Sequence, residues 1–296
     1  MRACVIFNPT ARGEKARRFR RYLDEIGTQC ELKLTAGVGD ARRLAAEAVN
    51  EGCEVVVAGG GDGTVNEVLN GLGDAPDGFQ RTRFGVLPLG TVNVYARELR
   101  IPTKLDLAWK AILAGKEAKI DLPRVQYRGA KGEESRYFVQ LAGAGLDARA
   151  IELVNWELKK KVGPLAYVAA GLKALTGQPS QITASGEGNS AAGGLVLIGN
   201  GKLYGGDYRV FPEAELNDGR LDVCVLPRVN WLTLAQCGPS LLLRGLLPAS
   251  CTRLFQAPTI TLTSPTPTPL EVDGELIGHL PATFSVLQKR LRVAIP

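Results

Sequence analysis

The residues best suited to chemistry stand in one glycine-rich segment, residues 59–71, with the sequence GGGDGTVNEVLNG. Residues 55–58 before it are apolar, which predicts a buried strand, and apolar residues after it recur at helical spacing. The glycines permit backbone conformations closed to other residues, and Asp62 and Thr64 offer side-chain oxygens for a helix N-cap. The segment therefore predicts a strand, a glycine loop and a helix whose first N–H groups bind a phosphate.

This loop matches neither of the two common phosphate-binding motifs. It has no lysine for a Walker loop, and its glycines do not follow the G-x-G-x-x-G spacing. Gly143, Gly145 and Ala148 do match that spacing, but no early βαβ unit surrounds them, so we predict a turn into a helix over 148–160. A plain glycine turn between a core strand and a helix is the alternative interpretation of residues 59–63.

A second glycine turn, Gly90-Thr91, ends a predicted strand that begins at Gly85. Strands predicted at 3–7 and 30–34, each followed by a helical segment, complete an alternation typical of a parallel sheet. Ligands bind at the carboxyl ends of the strands in such sheets. Both glycine turns are therefore expected side by side at that edge.

Two carboxylates late in the chain, Asp273 and Glu275, are candidates for acid–base chemistry. Residues two apart in an extended segment share a face, so the two groups can converge. One carboxylate can then accept a proton while the other orients or polarises it. An acidic hairpin turn is the alternative interpretation.

The segment 217–219, Asn-Asp-Gly, offers oxygen atoms in a turn, which suit Mg²⁺ or Ca²⁺. The residues alone favour a plain hairpin turn there.

The composition limits the classes of function. A chain of 296 residues is long enough for two domains, and 45% hydrophobic with 22% charged residues is typical of a soluble globular protein. The net charge of +6 fits an anionic substrate or membrane surface and is too diffuse to indicate nucleic acid. Six cysteines without a C-x-x-C pair and one histidine argue against zinc and suit a reducing compartment. We recognise no signal peptide, so a cytoplasmic location is expected.

The most apolar segment, residues 231–247, contains Gln236, Gly238, Pro239 and Arg244. These residues interrupt it too often for a bilayer span. It is predicted to be helical, either near lipid or packed as a helix pair in a core.

From Pro123 onward the pattern changes to short strands separated by glycine, serine and glutamate turns, which indicates an antiparallel second domain. We predict a first domain over 1–122, a second over 123–284, and a closing strand over about 285–296 that returns to the first. Within the second domain the predicted strands are 125–127, 137–141, 181–184 and 195–199, and the predicted hairpin loops are 128–135 and 186–194.

Taken together, the motifs resemble the diacylglycerol kinase catalytic-domain family, which includes bacterial lipid kinases and sphingosine kinases. NP, GGGDGT, LPLGT, P-x-A with D-G-x-L-D, and VDGE occur in family order over nearly the whole chain. The resemblance implies an α/β N-terminal domain with a parallel sheet, similar to NAD kinase and phosphofructokinase, and a mainly antiparallel β-sandwich C-terminal domain.

The resemblance also implies an activity. An enzyme of this family would use ATP and Mg²⁺ to transfer the γ-phosphoryl group to a hydroxyl of a lipid such as diacylglycerol, in phospholipid biosynthesis. The lipid would be presented by a membrane with which the enzyme associates peripherally, aided by the basic residues 159–161. A homodimer is compatible with the family.

The same resemblance assigns the site residues. Asp273, assisted by Glu275, is the catalytic pair. A metal is expected on the Asp218 side chain and the main chain of Glu215 and Arg220, with Asp121 as a further acidic position and Asp62 beside the nucleotide phosphates. The nucleotide-binding residues are Asn8, Thr35, Gly61, Asp62, Gly63, Thr64, Val65, Asn66, Glu67 and Thr91.

Two positions depart from the family pattern. Arg12 stands where glycine is usual, and together with Lys15 it is expected to face phosphates or solvent. Val94 stands where the family has an aspartate that helps to hold water and metal. The alternatives are therefore a sphingoid-base or other soluble-substrate kinase that shares GGDGT, and a non-catalytic lipid or nucleotide sensor.

Overall fold

The computed structural model describes residues 1–9, 19, 26–130, 132–153, 173, 175 and 181–296. The predictions that concern Arg12, Lys15, the basic residues 159–161 and most of the helix expected over 148–160 lie outside these residues. Elements are numbered below in chain order within the described part.

The N-terminal part alternates strands and helices, as the sequence predicts. Its strands pair in parallel in the order β2-β1-β3-β4, and helices α1 and α2 pack against each other. The elements are β1 (Ala3–Phe7), β2 (Glu31–Leu34), α1 (Asp40–Asn50), β3 (Val55–Gly60), α2 (Asp62–Asp74), α3 (Gly78–Arg81), β4 (Arg83–Pro88), α4 (Val94–Glu98) and α5 (Leu105–Leu113).

The C-terminal part is mainly antiparallel. Within the described residues its strands, helices α6 and α7, and a separate two-stranded ribbon of β11 and β12 follow in chain order. They are β5 (Glu117–Gly129), β6 (Gly132–Tyr137), β7 (Leu141–Gly145), α6 (Leu146–Leu153), β8 (Ile182–Gly186), β9 (Asn189–Gly193), β10 (Leu195–Gly199), β11 (Leu203–Tyr204), β12 (Tyr208–Arg209), β13 (Leu221–Leu226), α7 (Trp231–Arg244), β14 (Arg253–Ala257), β15 (Thr259–Thr263), β16 (Pro269–Val272) and β17 (Glu275–Ala294).

Strand β17 connects the two parts. It pairs antiparallel with β5 from His279 to Ala294 and parallel with β4 at Val293. Its last residues therefore return to the first sheet, and a single sheet of 15 strands results. The domain boundary at residue 122 stays a prediction, because β5 continues through it without a break.

Buried side chains form two large clusters and a small one. The first cluster fills the N-terminal part and includes Leu291 and Val293 of β17, and the second fills the antiparallel part. The small cluster lies under α7. Cys4 and Cys53 are buried, and all six cysteines are free. Across the described ranges, no helix combines the length and apolarity needed to span a membrane.

Hairpins lie where they are predicted, at 128–135 and 186–194, but their loops are shorter, because β5 pairs with β6 up to Gly129–Gly132 and β8 with β9 up to Gly186–Asn189. Two other local predictions in the antiparallel part are wrong. The expected turn at Gly143–Gly145 is the buried strand β7. The expected strand 137–141 is instead a break between β6 and β7.

Candidate active site

The two glycine turns meet at the carboxyl edge of the parallel sheet, as expected. Gly60 and Pro88 are the last pair between β3 and β4, and the Leu89 N–H donates to Gly60 O at 3.0 Å. A methyl group at Gly90 would lie 2.5 Å from the Cα of Gly61. The backbones therefore approach so closely that only glycine fits at Gly90.

A cleft of about 270 Å³ opens between these turns. Gly61 is the N-cap of α2, and no side chain accepts a hydrogen bond in that position. The predicted capping role of Asp62 and Thr64 is therefore wrong. The first N–H groups of α2 are suited to an anion, since the positive end of the helix dipole lies beside them. The cleft is lined by Asn8, Gly61, Gly63, Thr64, Glu67, Gly90 and Thr91.

Six of the ten predicted nucleotide-binding residues line this cleft, and Gly90 is an additional one. Thr35 is buried at the end of β2, where its N–H donates to Phe7 O at 3.0 Å. Val65 is a buried core residue. The sequence could not distinguish Thr35 and Val65 from the residues that face the cleft, because both groups lie next to strand ends at the same edge of the sheet.

Two acidic residues of the glycine segment hold helix ends rather than standing free. Glu67 accepts the N–H groups of Gly39 and Ala41 at 3.0 Å each, so it caps α1 while it borders the cleft. Asp62 accepts N–H groups of residues 93–95 at the start of α4. Both carboxylates therefore fix the walls of the cleft.

The catalytic candidates lie at the turn between β16 and β17. Val272 pairs with Glu275, and Asp273 and Gly274 have φ values of 47° and 86°. This is the geometry of a two-residue type I′ hairpin, for which Asp-Gly is a preferred sequence. The extended conformation expected here is wrong, and the alternation of a strand does not bring the two carboxylates together.

The Asp273 carboxylate is bound at both oxygens. Oδ1 accepts the N–H groups of Gln140 and Leu141 at 3.1 Å each, and Oδ2 accepts that of Val139 at 3.0 Å and the Asn66 amide at 2.7 Å. The break between β6 and β7 supplies these three N–H groups. Four donors hold the carboxylate in one orientation beside α2.

Asn66 and Arg136 connect Asp273 to Glu275. Arg136 Nε donates to Asn66 Oδ1 at 3.0 Å, and its Nη2 donates to Asn66 Oδ1 at 2.6 Å and also to Glu275 Oε2. A methyl group at Gly63 would lie 3.6 Å from Glu275 Oε1. The network therefore places both carboxylates next to the cleft that the glycine turns form.

Burial raises the pKa of the Asp273 carboxyl above its ordinary value, and the hydrogen bonds from Val139 and Asn66 oppose that rise. Burial and then the charge of Asp273 raise the pKa of Asp62. A carboxylate with a raised pKa is a stronger base than a free one, which suits proton removal from a hydroxyl.

A second pair of acidic groups, Glu271 and Asp147, lies next to the turn between β16 and β17. The Gly274 N–H donates to Glu271 Oε2 at 2.8 Å, and a side chain at Gly143 would meet both Asp147 Oδ2 and Glu271 Oε1. Burial, followed by the charge of Asp147, raises the pKa of Glu271 well above its ordinary value. Asp147 accepts the Tyr204 hydroxyl, so Tyr204, Asp147 and Glu271 form one polar cluster next to the turn.

The predicted metal loop lies at a different place from the cleft. Asp218 Oδ1 accepts the Arg220 N–H at 2.9 Å, while Asp121 accepts N–H groups of Gly219 at 2.6 Å and Lys289 at 2.7 Å. Burial, then Asp121 and Glu215, raise the pKa of Asp218. Asp121 thus braces this loop and does not line the cleft. The described ranges contain no group of three side chains suited to a metal, so the metal roles stay predictions.

Comparison with known proteins identifies the family. The profile of the diacylglycerol kinase catalytic domain matches residues 2–125, and that of the YegS C-terminal NAD kinase beta sandwich-like domain matches residues 140–295. The diacylglycerol kinase of Staphylococcus carnosus (strain TM300) is 32% identical over 308 residues, covering 100% of this chain and 95% of the relative. The chain belongs to the diacylglycerol kinase family.

A second diacylglycerol kinase, from Staphylococcus aureus (strain MRSA252), is also 32% identical, over 100% of this chain and 92% of its own length. A diacylglycerol kinase structure from Bacillus anthracis str. Sterne matches with a TM-score of 0.78 and 23% identity, covering 100% of this chain and 97% of that one. The predicted fold class, an α/β domain with a parallel sheet and an antiparallel β-sandwich, is confirmed, and the chain is an enzyme of the kinase class.

Sequence reasoning missed Arg136 in this diacylglycerol kinase relative. It lies on β6, most of which is expected to be a loop, and the mainly polar sequence of β6 (GEESRY) gives no strand signal. Asn66 was assigned to the nucleotide, but it is fully buried and bonds Asp273 and Arg136 instead of lining the cleft.

Proposed function

We propose that this enzyme transfers the γ-phosphoryl group of ATP to a hydroxyl of a membrane lipid such as diacylglycerol. The observation that carries the proposal is the contact between the Asp273–Glu275 turn and the phosphate-type cleft. Glu275 Oε1 stands next to cleft-lining Gly63, and Asn66 on the helix that opens the cleft holds Asp273. An anion site and a base therefore lie side by side.

Phosphoryl transfer depends on positioning and charge neutralisation, and different residues of the site would serve each of these. The N–H groups at the start of α2 and the glycine turns bind the phosphates. Asp273, held by four donors, takes the proton from the lipid hydroxyl. Arg136 balances the charge of Glu275 and keeps the Asn66 amide turned toward Asp273.

Magnesium would accompany the nucleotide. Mg²⁺ in kinases is usually held by substrate phosphates and one or two carboxylates rather than by a complete protein cage. We assign the ion to Asp62, whose chain neighbours Gly61 and Gly63 line the cleft; its carboxylate would hold the ion in addition to the N–H groups of residues 93–95. When bound, the ion would neutralise charge on the phosphates.

The test is ATP-dependent phosphorylation of a lipid panel in mixed micelles. The panel contains diacylglycerol, monoacylglycerol, phosphatidylglycerol and sphingosine, with Asp273→Ala as the matched variant. We expect a labelled lipid product from the wild type, and a rate lower by about a thousandfold in the variant, a typical effect for the loss of a general base. Nucleotide binding by the variant, measured by calorimetry, shows that its cleft is intact.

Other outcomes would identify the alternatives. Phosphorylation of sphingosine alone would mark a sphingoid-base kinase, and transfer to NAD⁺ or a sugar phosphate a soluble-substrate kinase. Nucleotide binding without any product would indicate a sensor, and Val94→Asp would then be the variant to test for restored activity. Each of these results would overturn the proposal.

A further inference from the structure

Exposed large apolar side chains concentrate on α7 and the segment after it. Among the described residues 13 such side chains are exposed, and six of them lie between Trp231 and Leu254. Leu242 and Leu243 are 74% and 85% exposed, and Trp231 and Leu232 are 59% and 68% exposed. The rest of the described surface has no comparable concentration, so this one requires an explanation.

These side chains share one face of the helix. Trp231 and Leu242 are separated by about three turns at ~3.6 residues per turn, and so are Leu232 and Leu243. Buried Cys237 and partly buried Leu241 are on the opposite face, which packs on the small core cluster. We call Trp231, Leu232, Leu242 and Leu243 the α7 face.

The chain segment that carries the α7 face has charges of a single sign. Residues 223–270 contain no aspartate or glutamate, although the whole chain has 30 acidic residues. The charged residues of this stretch are Arg228, Arg244 and Arg253, and all three are exposed. Arginines beside exposed tryptophan and leucine are complementary to a surface that is apolar inside and anionic outside.

A series of contacts connects the end of α7 to the rim of the cleft. The Arg209 N–H donates to Gly245 O, at the end of α7, at 2.6 Å. The neighbouring Asp207 pairs with Arg97 of α4 at 2.6 Å, and Arg97 donates to Val92 O at 2.7 Å. Val92 follows cleft-lining Thr91, so a few contacts connect the end of α7 to the rim of the cleft.

We propose that the α7 face is the surface by which this enzyme docks on an anionic lipid bilayer. The inference rests on the proposed function, since a lipid kinase must meet its substrate at a membrane. Trp231 and the leucines would enter the headgroup boundary, and the arginines would contact lipid phosphates. A second copy of the chain fits less well, because a two-fold contact would bring arginines together without acidic partners from residues 223–270.

The test is co-sedimentation with vesicles of phosphatidylcholine and phosphatidylglycerol, compared with phosphatidylcholine alone. The double variant Leu242→Gln/Leu243→Gln changes only exposed side chains, and Leu107→Gln, an exposed leucine on α5, is the control. We expect the wild type and control to bind the anionic vesicles, the double variant to bind about tenfold more weakly, and salt to weaken wild-type binding.

Two further measurements separate the outcomes. Activity of the double variant on a water-soluble short-chain diacylglycerol should equal that of the wild type, while its activity on vesicle-borne lipid falls. If the double variant loses vesicle binding but neither it nor the wild type has kinase activity, the proposed function is wrong and the docking surface is still supported. Two results would overturn the docking surface. One is equal vesicle binding by the wild type and the double variant. The other is a dimeric wild type and a monomeric double variant that bind vesicles equally.

Discussion

Arg136 joins the two acidic residues of the catalytic turn through a single guanidinium. It donates twice to Asn66 Oδ1 and once to Glu275, while the Asn66 amide donates to Asp273. Both the position of the Glu275 carboxylate and the orientation of Asn66 therefore depend on one planar cation.

We expect Arg136→Gln to lower kcat by about a hundredfold while the Kd for nucleotide changes little, because the orientation of the base is lost but the cleft remains. Arg136→Lys should recover part of the rate, since a lysine ammonium can contact one partner well but not both. Initial rates and calorimetric nucleotide binding check this.

The matched control for Arg136 is Arg128→Gln, an exposed arginine on the adjacent strand β5. It should behave as the wild type. An Arg136→Gln enzyme with normal kcat would show that the network is structural only.

A second prediction concerns Asp222, which is buried on β13 and accepts the Gln256 amide at 2.9 Å. Burial raises the pKa of Asp222 to about 6, so in the folded protein this acid keeps its proton where the unfolded chain has lost it. The stability that the protonated form provides is present at acid pH and is lost as pH rises through about 6.

Asp222→Asn should therefore raise the free energy of unfolding near neutral pH by about 3 kcal/mol, from ~1.4 kcal/mol per pKa unit, and flatten its decline across this window. Urea unfolding at several pH values measures it, with the exposed Glu133→Gln as control. A variant that is less stable than the wild type at neutral pH would refute the assignment.

At the scale of elements, the cleft depends on the close approach of the two glycine turns. Gly90→Ala would place a methyl group 2.5 Å from the Gly61 Cα, so the turn after β4 must move away from the start of α2. We expect nucleotide affinity to fall at least about tenfold, since the N–H groups that face the phosphates no longer converge.

Gly27→Ala is the matched control for this variant, because nothing lies within 4 Å of its added methyl group. Calorimetric titration with ATP compares the two variants. Equal affinities would show that the turns can separate without effect on the anion site.

The parallel half could be predicted from the sequence because its signals are local. A valine-rich run, three glycines and a helical repeat at residues 55–72 fix strand, loop and helix within one segment, and the turn at Gly90 repeats the pattern. The ends of neighbouring parallel strands must then lie together. Six predicted nucleotide-binding residues accordingly line one cleft.

The connection between the halves could not be predicted in the same way. The contact of Asn66 with Asp273 spans 207 residues, and that of Arg136 with Glu275 spans 139. No periodicity encodes such pairs. The left-handed backbone at Asp273, by contrast, agrees with the alternative interpretation of the sequence as an acidic hairpin turn, since Asp-Gly is a preferred hairpin sequence.

At the scale of the whole molecule, β17 belongs to both halves. It begins at the catalytic turn, pairs with β5 along the antiparallel part, and places Leu291 and Val293 in the core of the parallel part. A continuous strand of this kind couples the stability of the two cores.

We therefore expect β3 and β13, which lie in different halves, to lose hydrogen-exchange protection in one cooperative transition. Leu291→Ala should lower the opening free energy of both strands by about 2–5 kcal/mol, because it leaves a cavity beside β17, which belongs to both halves. Native-state exchange by mass spectrometry reports each strand. Opening of β13 at unchanged free energy in the variant would show that the halves are independent.

The path of β17 also determines when, during synthesis, the enzyme can become active. Residues 59–71 leave the ribosome early, yet the hydrophobic core behind them includes Leu291 and Val293. Many multidomain chains complete their N-terminal domain first. In this chain the β4 edge of the parallel sheet has no β17 partner until β17, the last described strand, has been synthesised. We therefore expect the glycine loop and Asp273, its proposed base, to be completed together, so that a partly made chain does not present a finished anion site without Asp273.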